Sequence, residues 1–236
     1  TATTESKLQC WWGREWYNMD SSRVSAGIGE CYTYDPETDT FVRDINEGWQ
    51  DFNVAYLYTK KAYQDFKLEF DVKLCPPENQ DAWLWLEFGI EDPSASFNTN
   101  KEQGAVLTRI ENNRGTTAIV NRNWGGGYTE AWGTQYDAYD LNHTYHVTLK
   151  VEDGKYWLSM DNVVLVDGWT LEGYDGGLIG IGTGNKPTTI SNITVTNLDA
   201  PAQTGDSSSL MLIAAAMVFA VTGMTALLVS GKKYLH

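Results

Sequence analysis

Phe66-Lys67-Leu68-Glu69-Phe70-Asp71-Val72-Lys73-Leu74 alternates apolar and charged residues without a fault. Successive side chains of a strand point to opposite faces, so the stretch reads as a β-strand with one face in a core and the other in water. Cys75-Pro76-Pro77 ends it, because proline cannot donate to the ladder. The charges Lys67, Glu69, Asp71 and Lys73 share the wet face and read as a solvated surface.

Working outward, strands are expected at 52–58, 82–91, 105–111, 116–121, 145–151, 155–160, 163–166, 177–183 and 188–197. Asn112-Asn113-Arg114-Gly115, Glu152-Asp153-Gly154 and Asp161-Asn162 between them are residue types that accept turn backbone angles. No amphipathic helix is legible before position 200. Many short strands separated by turns imply an all-β sandwich or jelly roll. Residues 1 to about 50 are the least legible part and are expected to add edge strands or loops, with a turn at Asp35-Pro36-Glu37-Thr38-Asp39.

One strand stands out chemically. In Asp81-Ala82-Trp83-Leu84-Trp85-Leu86-Glu87-Phe88-Gly89-Ile90-Glu91, alternation puts Ala82, Leu84, Leu86, Phe88 and Ile90 on a core face. Trp83, Trp85, Glu87, Gly89 and Glu91 fall on the other. Two large aromatics and two carboxylates in a row make this face a candidate site, the alternative being that its Trp residues pack under a neighbouring segment. Downstream, Asn121-Arg122-Asn123-Trp124-Gly125-Gly126-Gly127-Tyr128-Thr129-Glu130-Ala131-Trp132-Gly133 reads as a mobile aromatic loop over a sheet. It lacks the lysine and the strand-to-helix setting of a phosphate cradle.

The chain has 236 residues, 42% hydrophobic and 13% aromatic, ample for one large core and incompatible with disorder throughout. Its formal net charge of −14 excludes nucleic acid as an expected partner, since phosphate binding needs clustered Lys and Arg. An acidic surface rich in Trp and Tyr suits a neutral, hydroxyl-rich ligand. Cys10, Cys31 and Cys75 have no metal-ligand spacing, and at most one disulfide can form, with the pair left open. His143 and His146, three apart on a strand, point to opposite faces, so no metal site is expected from them.

Past position 198 the composition changes. Leu210 to Ser230 is a 21-residue run without a charge, about the ~20 residues that cross a ~30 Å hydrocarbon layer as a helix. Lys232 and Lys233 follow, which favours a cytoplasmic end and places residues 1–209 outside. The expected layout is a sandwich over 1–198, a linker over 199–209, a transmembrane helix over 210–230 and a basic tail over 231–236. The first residues have neither a basic start nor an apolar run, so the chain is expected to be a mature form or a fragment of a longer precursor.

Two resemblances follow from these residues. Thr204-Gly205, the span and the short basic tail resemble the cell-wall sorting signal of Gram-positive surface proteins. That resemblance implies cleavage by sortase between Thr204 and Gly205 and attachment to peptidoglycan, although Ala202 stands where the family pattern has proline. The second resemblance runs over about 50–198. Residues 143–151, Asp161-Asn162-Val163-Val164-Leu165-Val166-Asp167-Gly168, Gly176-Gly177-Leu178-Ile179-Gly180-Ile181-Gly182-Thr183 and Ile190–Val195 resemble the concanavalin A-like lectin and glucanase superfamily, laminin-G-like domains included.

This second resemblance implies a two-sheet antiparallel jelly roll that binds sugars on its concave sheet or rim loops. The expected function is a non-catalytic carbohydrate-binding module, extracellular and anchored to wall or membrane. Trp83, Trp85, Glu87, Arg109, Asn123, Trp124, Tyr128 and Trp132 are the expected ligand contacts, with aromatics stacking on sugar rings and polar groups taking hydroxyls. No cofactor is required, and the resemblance allows a structural calcium ion.

The alternative is a glycoside hydrolase using Glu87 and Glu91. On a regular strand those carboxylates lie ~13 Å apart, beyond the ~5–9.5 Å of glycosidase pairs, so hydrolysis would need a bulge at Gly89, where the hydrolase pattern has an acid. A second alternative is an adhesive or structural sandwich that binds protein.

Overall fold

The computed structural model describes residues 3–14, 23–45, 53–74, 83–96, 99–100, 104–111, 119–123, 128–132, 143–184 and 186–199. The chain divides into two units, Thr1–Asp199 and Ala200–His236. Trp124, Cys75, Thr204, Gly205, the expected span at 210–230 and the basic tail lie outside the described residues. No helix among the described residues is long and apolar enough to cross a membrane.

The first unit is all-β. Its strands are β1 (Leu8–Arg14), β2 (Val24–Ala26), β3 (Thr33–Asp35), β4 (Thr40–Arg43), β5 (Asn53–Thr59), β6 (Phe66–Leu74), β7 (Trp83–Ile90) and β8 (Val106–Glu111). They continue with β9 (Ile119–Asn123), β10 (Tyr128–Trp132), β11 (Tyr145–Glu152), β12 (Lys155–Met160), β13 (Val163–Thr170), β14 (Leu178–Thr183) and β15 (Thr188–Asn197). Two single-turn helices, α1 (Thr4–Lys7) and α2 (Ile28–Cys31), flank β1 and β2. Every pairing is antiparallel, in one sheet ordered β10-β9-β8-β7-β14-β5-β1-β2 and a second ordered β13-β12-β11-β6-β15-β4-β3.

The core follows from alternation. β6 buries Phe66, Leu68, Phe70, Val72 and Leu74 and leaves the residues between them partly exposed. Its neighbour β11 does the same with Tyr145, Val147, Leu149 and Val151. These meet Leu84, Leu86 and Phe88 of β7 in one hydrophobic cluster. A side chain as large as Phe88, fully buried, contributes roughly 2–3 kcal/mol. Polar groups in this layer are satisfied: the Tyr156 hydroxyl pairs with Thr108 Oγ1 at 2.7 Å, and the Tyr32 hydroxyl donates to the Ala55 carbonyl at 2.8 Å. Burial pushes both tyrosines above their ordinary range.

Turn chemistry fixes the registers. Asp153 (φ 51°) and Gly154 (φ 66°) join β11 to β12 in the left-handed conformation that a tight hairpin requires. Asp35 accepts from the Glu37 amide and the Thr38 hydroxyl, closing the turn between β3 and β4.

Several expectations are corrected. Residues 8–14 and 40–43 are internal strands of their sheets, whereas β2 and β3 each form one edge, as expected for this part of the chain. The aromatic segment 121–133 is not a loop throughout, since β9 and β10 pair as a hairpin across it. β13 continues past Val166 to Thr170, carried through a register irregularity in which Gly168 adopts φ 65°.

Candidate functional site

The sheet containing β7 has a second face, turned away from the main core, and the candidate residues lie along it. Strand register sets them in rows. One row runs Trp132–Ile119–Arg109–Trp85–Gly182–Tyr56–Trp11 across β10, β9, β8, β7, β14, β5 and β1. The next runs Glu130–Asn121–Leu107–Glu87–Gly180–Tyr58–Gln9. Asn123 and Tyr128 pair beyond Asn121 and Glu130, and Trp83 pairs with Glu111 at the start of β7. Residues scattered over fifty positions of sequence thus meet on four adjacent strands.

The open face expected at Trp85 and Glu87 is corrected. Trp85 is only 5% exposed and packs in a second hydrophobic cluster with Val54, Tyr56, Tyr58, Ile90 and Leu107. Glu87 is fully buried and ion-paired. Arg23 Nη1 donates to Glu87 Oε2 at 2.9 Å and Nη2 to Oε1 at 2.9 Å, with both side chains at 0% exposure. Tyr58 donates its hydroxyl to Glu87 Oε2. The Arg23 guanidinium lies over the Tyr56 ring, 4.1 Å from its centroid. A buried charge needs this degree of pairing, because desolvating either ion alone is costly.

Two glycines make room for the arrangement. The rings of Tyr56 and Tyr58 stack at 5.4 Å and lean across β14, where Gly180 and Gly182 stand beside them. A Cβ at Gly180 would sit 2.3 Å from Tyr58 Cε1, and one at Gly182 2.5 Å from Tyr56 Cε1. Any larger residue would push the tyrosines off the sheet and Tyr58 off Glu87.

The segment after β7 reaches Arg23. The Ser94 carbonyl accepts the Arg23 amide at 2.8 Å. Asn100, fully buried, holds that segment in shape: its Oδ1 accepts the amides of Glu91 and Asp92, and its Nδ2 donates to the carbonyls of Asp92 and Ser96. Arg23 is therefore clamped by its backbone as well as its side chain.

A bulge is present at Gly89, which has φ 73°. Leu178 pairs with Ile90 while the next residue, Ile179, pairs with Phe88, so Gly89 is the extra residue. The bulge shifts the alternation by one. Ile90, expected on the main core face, joins the cluster of Tyr56 and Trp85 instead. Glu91 follows the last residue of β7 and is exposed. Glu87 and Glu91 therefore end in different environments, one sealed against Arg23 and one in water.

Elsewhere, His143 Nε2 lies 2.9 Å from Asp161 Oδ2 and His146 Nδ1 2.7 Å from Asp71 Oδ1, both at the surface of the second sheet. Among the described residues no group of three or more His, Cys, Asp or Glu could hold a metal ion.

Sequence reasoning missed Arg23, Tyr56, Tyr58 and the two glycines as parts of the site. The Tyr-Leu-Tyr and Gly-Ile-Gly patterns carry a signal, large on one strand and absent on the next, whereas Arg23 has none.

No family model matches the chain, and no curated protein sequence matches it. Solved structures do. LamAcat from Zobellia galactanivorans matches with a TM-score of 0.58 at 12% identity, over 84% of this chain and 97% of that one. The exoplasmic/lumenal domain of VIP36, solved in a Ca2+/Man-bound form, matches with a TM-score of 0.53 at 12% identity, over 73% and 83%. Bacillus licheniformis β-glucanase matches at 0.52 and 12%, over 84% and 94%. At such identities the likeness is one of fold: the chain has the two-sheet β-sandwich of these three structures.

Proposed function

We propose that the sandwich is a non-catalytic carbohydrate-binding module that takes a neutral oligo- or polysaccharide on the β7–β8–β9–β10 half of its sheet. The observation that carries this reading is the strand register, which gathers Trp83, Arg109, Asn123, Tyr128 and Trp132 on adjacent strands. Aromatic faces stack on the apolar surfaces of sugar rings, and guanidinium and amide groups take the hydroxyls. Trp85, buried against Tyr56, serves as floor rather than as contact, and Glu87 orients Arg23 rather than a ligand hydroxyl. The fold likeness to the Man-bound VIP36 domain and to a β-glucanase agrees with a sugar ligand.

Against hydrolysis stands the fate of the two carboxylates. A glycosidase needs both within reach of one bond, ~5–9.5 Å apart. Here Glu87 has both oxygens engaged by Arg23, and Glu91 is exposed past the strand end. Anchoring outside the cell through 210–230, with Thr204-Gly205 as a sorting point, rests on the sequence alone. Loss of wall attachment in Thr204→Ala tests it, and retention of attachment overturns it.

A glycan-array profile of the purified full chain, followed by calorimetry on the hits, tests the binding reading. Binding is expected, with a loss of at least tenfold in Arg109→Ala and Trp132→Ala, each of which removes roughly 1.4 kcal/mol or more. Unchanged binding in both variants, or no binding to any glycan, overturns it. Release of reducing sugar that disappears in Glu91→Gln, whose carboxylate is exposed, would establish the hydrolase instead.

A further inference from the structure

Cys10 lies in the middle of β1, opposite Ala26 of β2, and is 1% exposed. Cys31 is the last residue of α2 and stays partly accessible. The path of the chain brings them together: β1 runs out, β2 returns antiparallel beside it, and α2 folds back against β1. Both side chains pack on the same hydrophobic cluster where α2 meets β1, and each thiol perturbs the ionisation of the other. Both are thiols in this structure.

We propose that Cys10 and Cys31 are a disulfide pair, closed by a low-molecular-weight disulfide or a disulfide-exchanging protein, and that the crosslink locks the segment carrying Arg23 onto its sheet. The inference stands apart from the sugar-binding reading. Arg23 lies between the two cysteines in sequence, so the bond would close a loop of about 20 residues around the group that clasps Glu87.

The two sulfurs have distinct roles in the exchange. The neighbouring Cys10 thiol, with the Arg43 charge nearby, holds Cys31 below the usual thiol range, while Cys31, together with burial, pushes Cys10 up. Cys31 is also the accessible partner, and a cleft of about 400 Å3 lined by Leu8, Cys10, Ala26, Ile28 and Lys60 opens beside Cys10.

The Cys31 thiolate therefore attacks one sulfur of a disulfide RSSR, forming a mixed disulfide and expelling RS⁻, which takes up the proton that Cys31 released. Cys10 then gives its proton to solvent and attacks the Cys31 sulfur, and the second RS⁻ leaves and is protonated. In balance, two protein thiols are oxidised and one RSSR is reduced to two RSH.

The test uses the full chain incubated with oxidised glutathione, then denatured in N-ethylmaleimide. Of the three cysteines, Cys75 alone is expected to take the label, and all three after dithiothreitol. A non-reducing peptide map should show Cys10 joined to Cys31. Reduction should lower Tm by on the order of 10 °C. That difference should vanish in Cys31→Ser and persist in Cys75→Ser. Labelling of all three cysteines after oxidation, or an intrachain bond that includes Cys75, overturns the proposal. Should Cys31→Ser fail to fold, labelling and mapping of the unsubstituted chain still decide.

Discussion

Arg23 grips Glu87 with both ends of its guanidinium, at 2.9 Å and 2.9 Å, and neither side chain has any exposure to water. Breaking a buried pair from one side leaves the other ion uncompensated, which costs about 3–5 kcal/mol. Arg23→Met and Glu87→Gln are each expected to destabilise the sandwich by that order in urea denaturation. The double variant should recover part of the loss, because no lone charge remains. Additive losses in the double-mutant cycle would show that the two side chains do not act as a pair.

Glycine at 180 and 182 is the steric condition for the tyrosine stack. A methyl group at Gly180 would press on Tyr58 at 2.3 Å, and the tyrosine cannot yield without leaving Glu87. Gly180→Ala is expected to cost about 1–3 kcal/mol, as overpacking does in a close-packed layer. Gly29→Ala is the control: a Cβ there meets nothing within 4 Å, and the residue sits in a helical turn. Its effect should stay within about 0.5 kcal/mol or be stabilising. Thermal denaturation of the two variants side by side checks the contrast.

The limits of β6 were legible to the residue, because one face meets a core and the other meets water, leaving alternation as the only pattern that satisfies both. β1 escaped the same reasoning. Leu8 and Cys10 point into the core, but Trp11 and Trp12 place an aromatic on either face and erase the alternation. β10 escaped because three glycines before it read as a loop, when they precede the return strand of a hairpin. At the candidate site, Trp85 and Glu87 were visible as unusual residues. What seals them was not: Arg23 is 64 positions from Glu87, and an ion pair leaves no local trace in either segment.

Gly89 decides which residues of β7 reach the second face. Its φ of 73° belongs to the left-handed region, and a Cβ there would meet Tyr174 Cε2 at 2.9 Å. Gly89→Ala is expected to cost about 1–3 kcal/mol through backbone strain, with the contact adding to it. The readable consequence is at Ile90, which the bulge turns into the cluster of Tyr56 and Trp85. Tryptophan fluorescence should shift in Gly89→Ala if the bulge relaxes and Ile90 withdraws from Trp85. Unaltered stability and fluorescence together would show that the bulge does not depend on glycine.

At the surface of the second sheet, Asp71 is held by two partners: Asn192 Nδ2 donates to Oδ2 at 2.7 Å, and His146 Nδ1 lies 2.7 Å from Oδ1. Burial opposes ionisation of this carboxyl and is the largest single influence. The hydrogen bonds from Asn192 and His146 outweigh it and hold Asp71 below the ordinary carboxylate range. A depressed carboxyl stabilises the fold above its unfolded-state value of 3.8, and the contribution is lost as pH falls through the lower folded-state value. Because Asp71 is 25% exposed, solvent screening keeps the contribution to about 1 kcal/mol or less. Asp71→Asn is therefore expected to lower Tm slightly at pH 6, with the difference from the unsubstituted protein shrinking as pH falls below 3.8. A Tm difference that stays constant from pH 6 down to about pH 2 would mean that Asp71 stabilises by packing and neutral hydrogen bonds rather than by its charge.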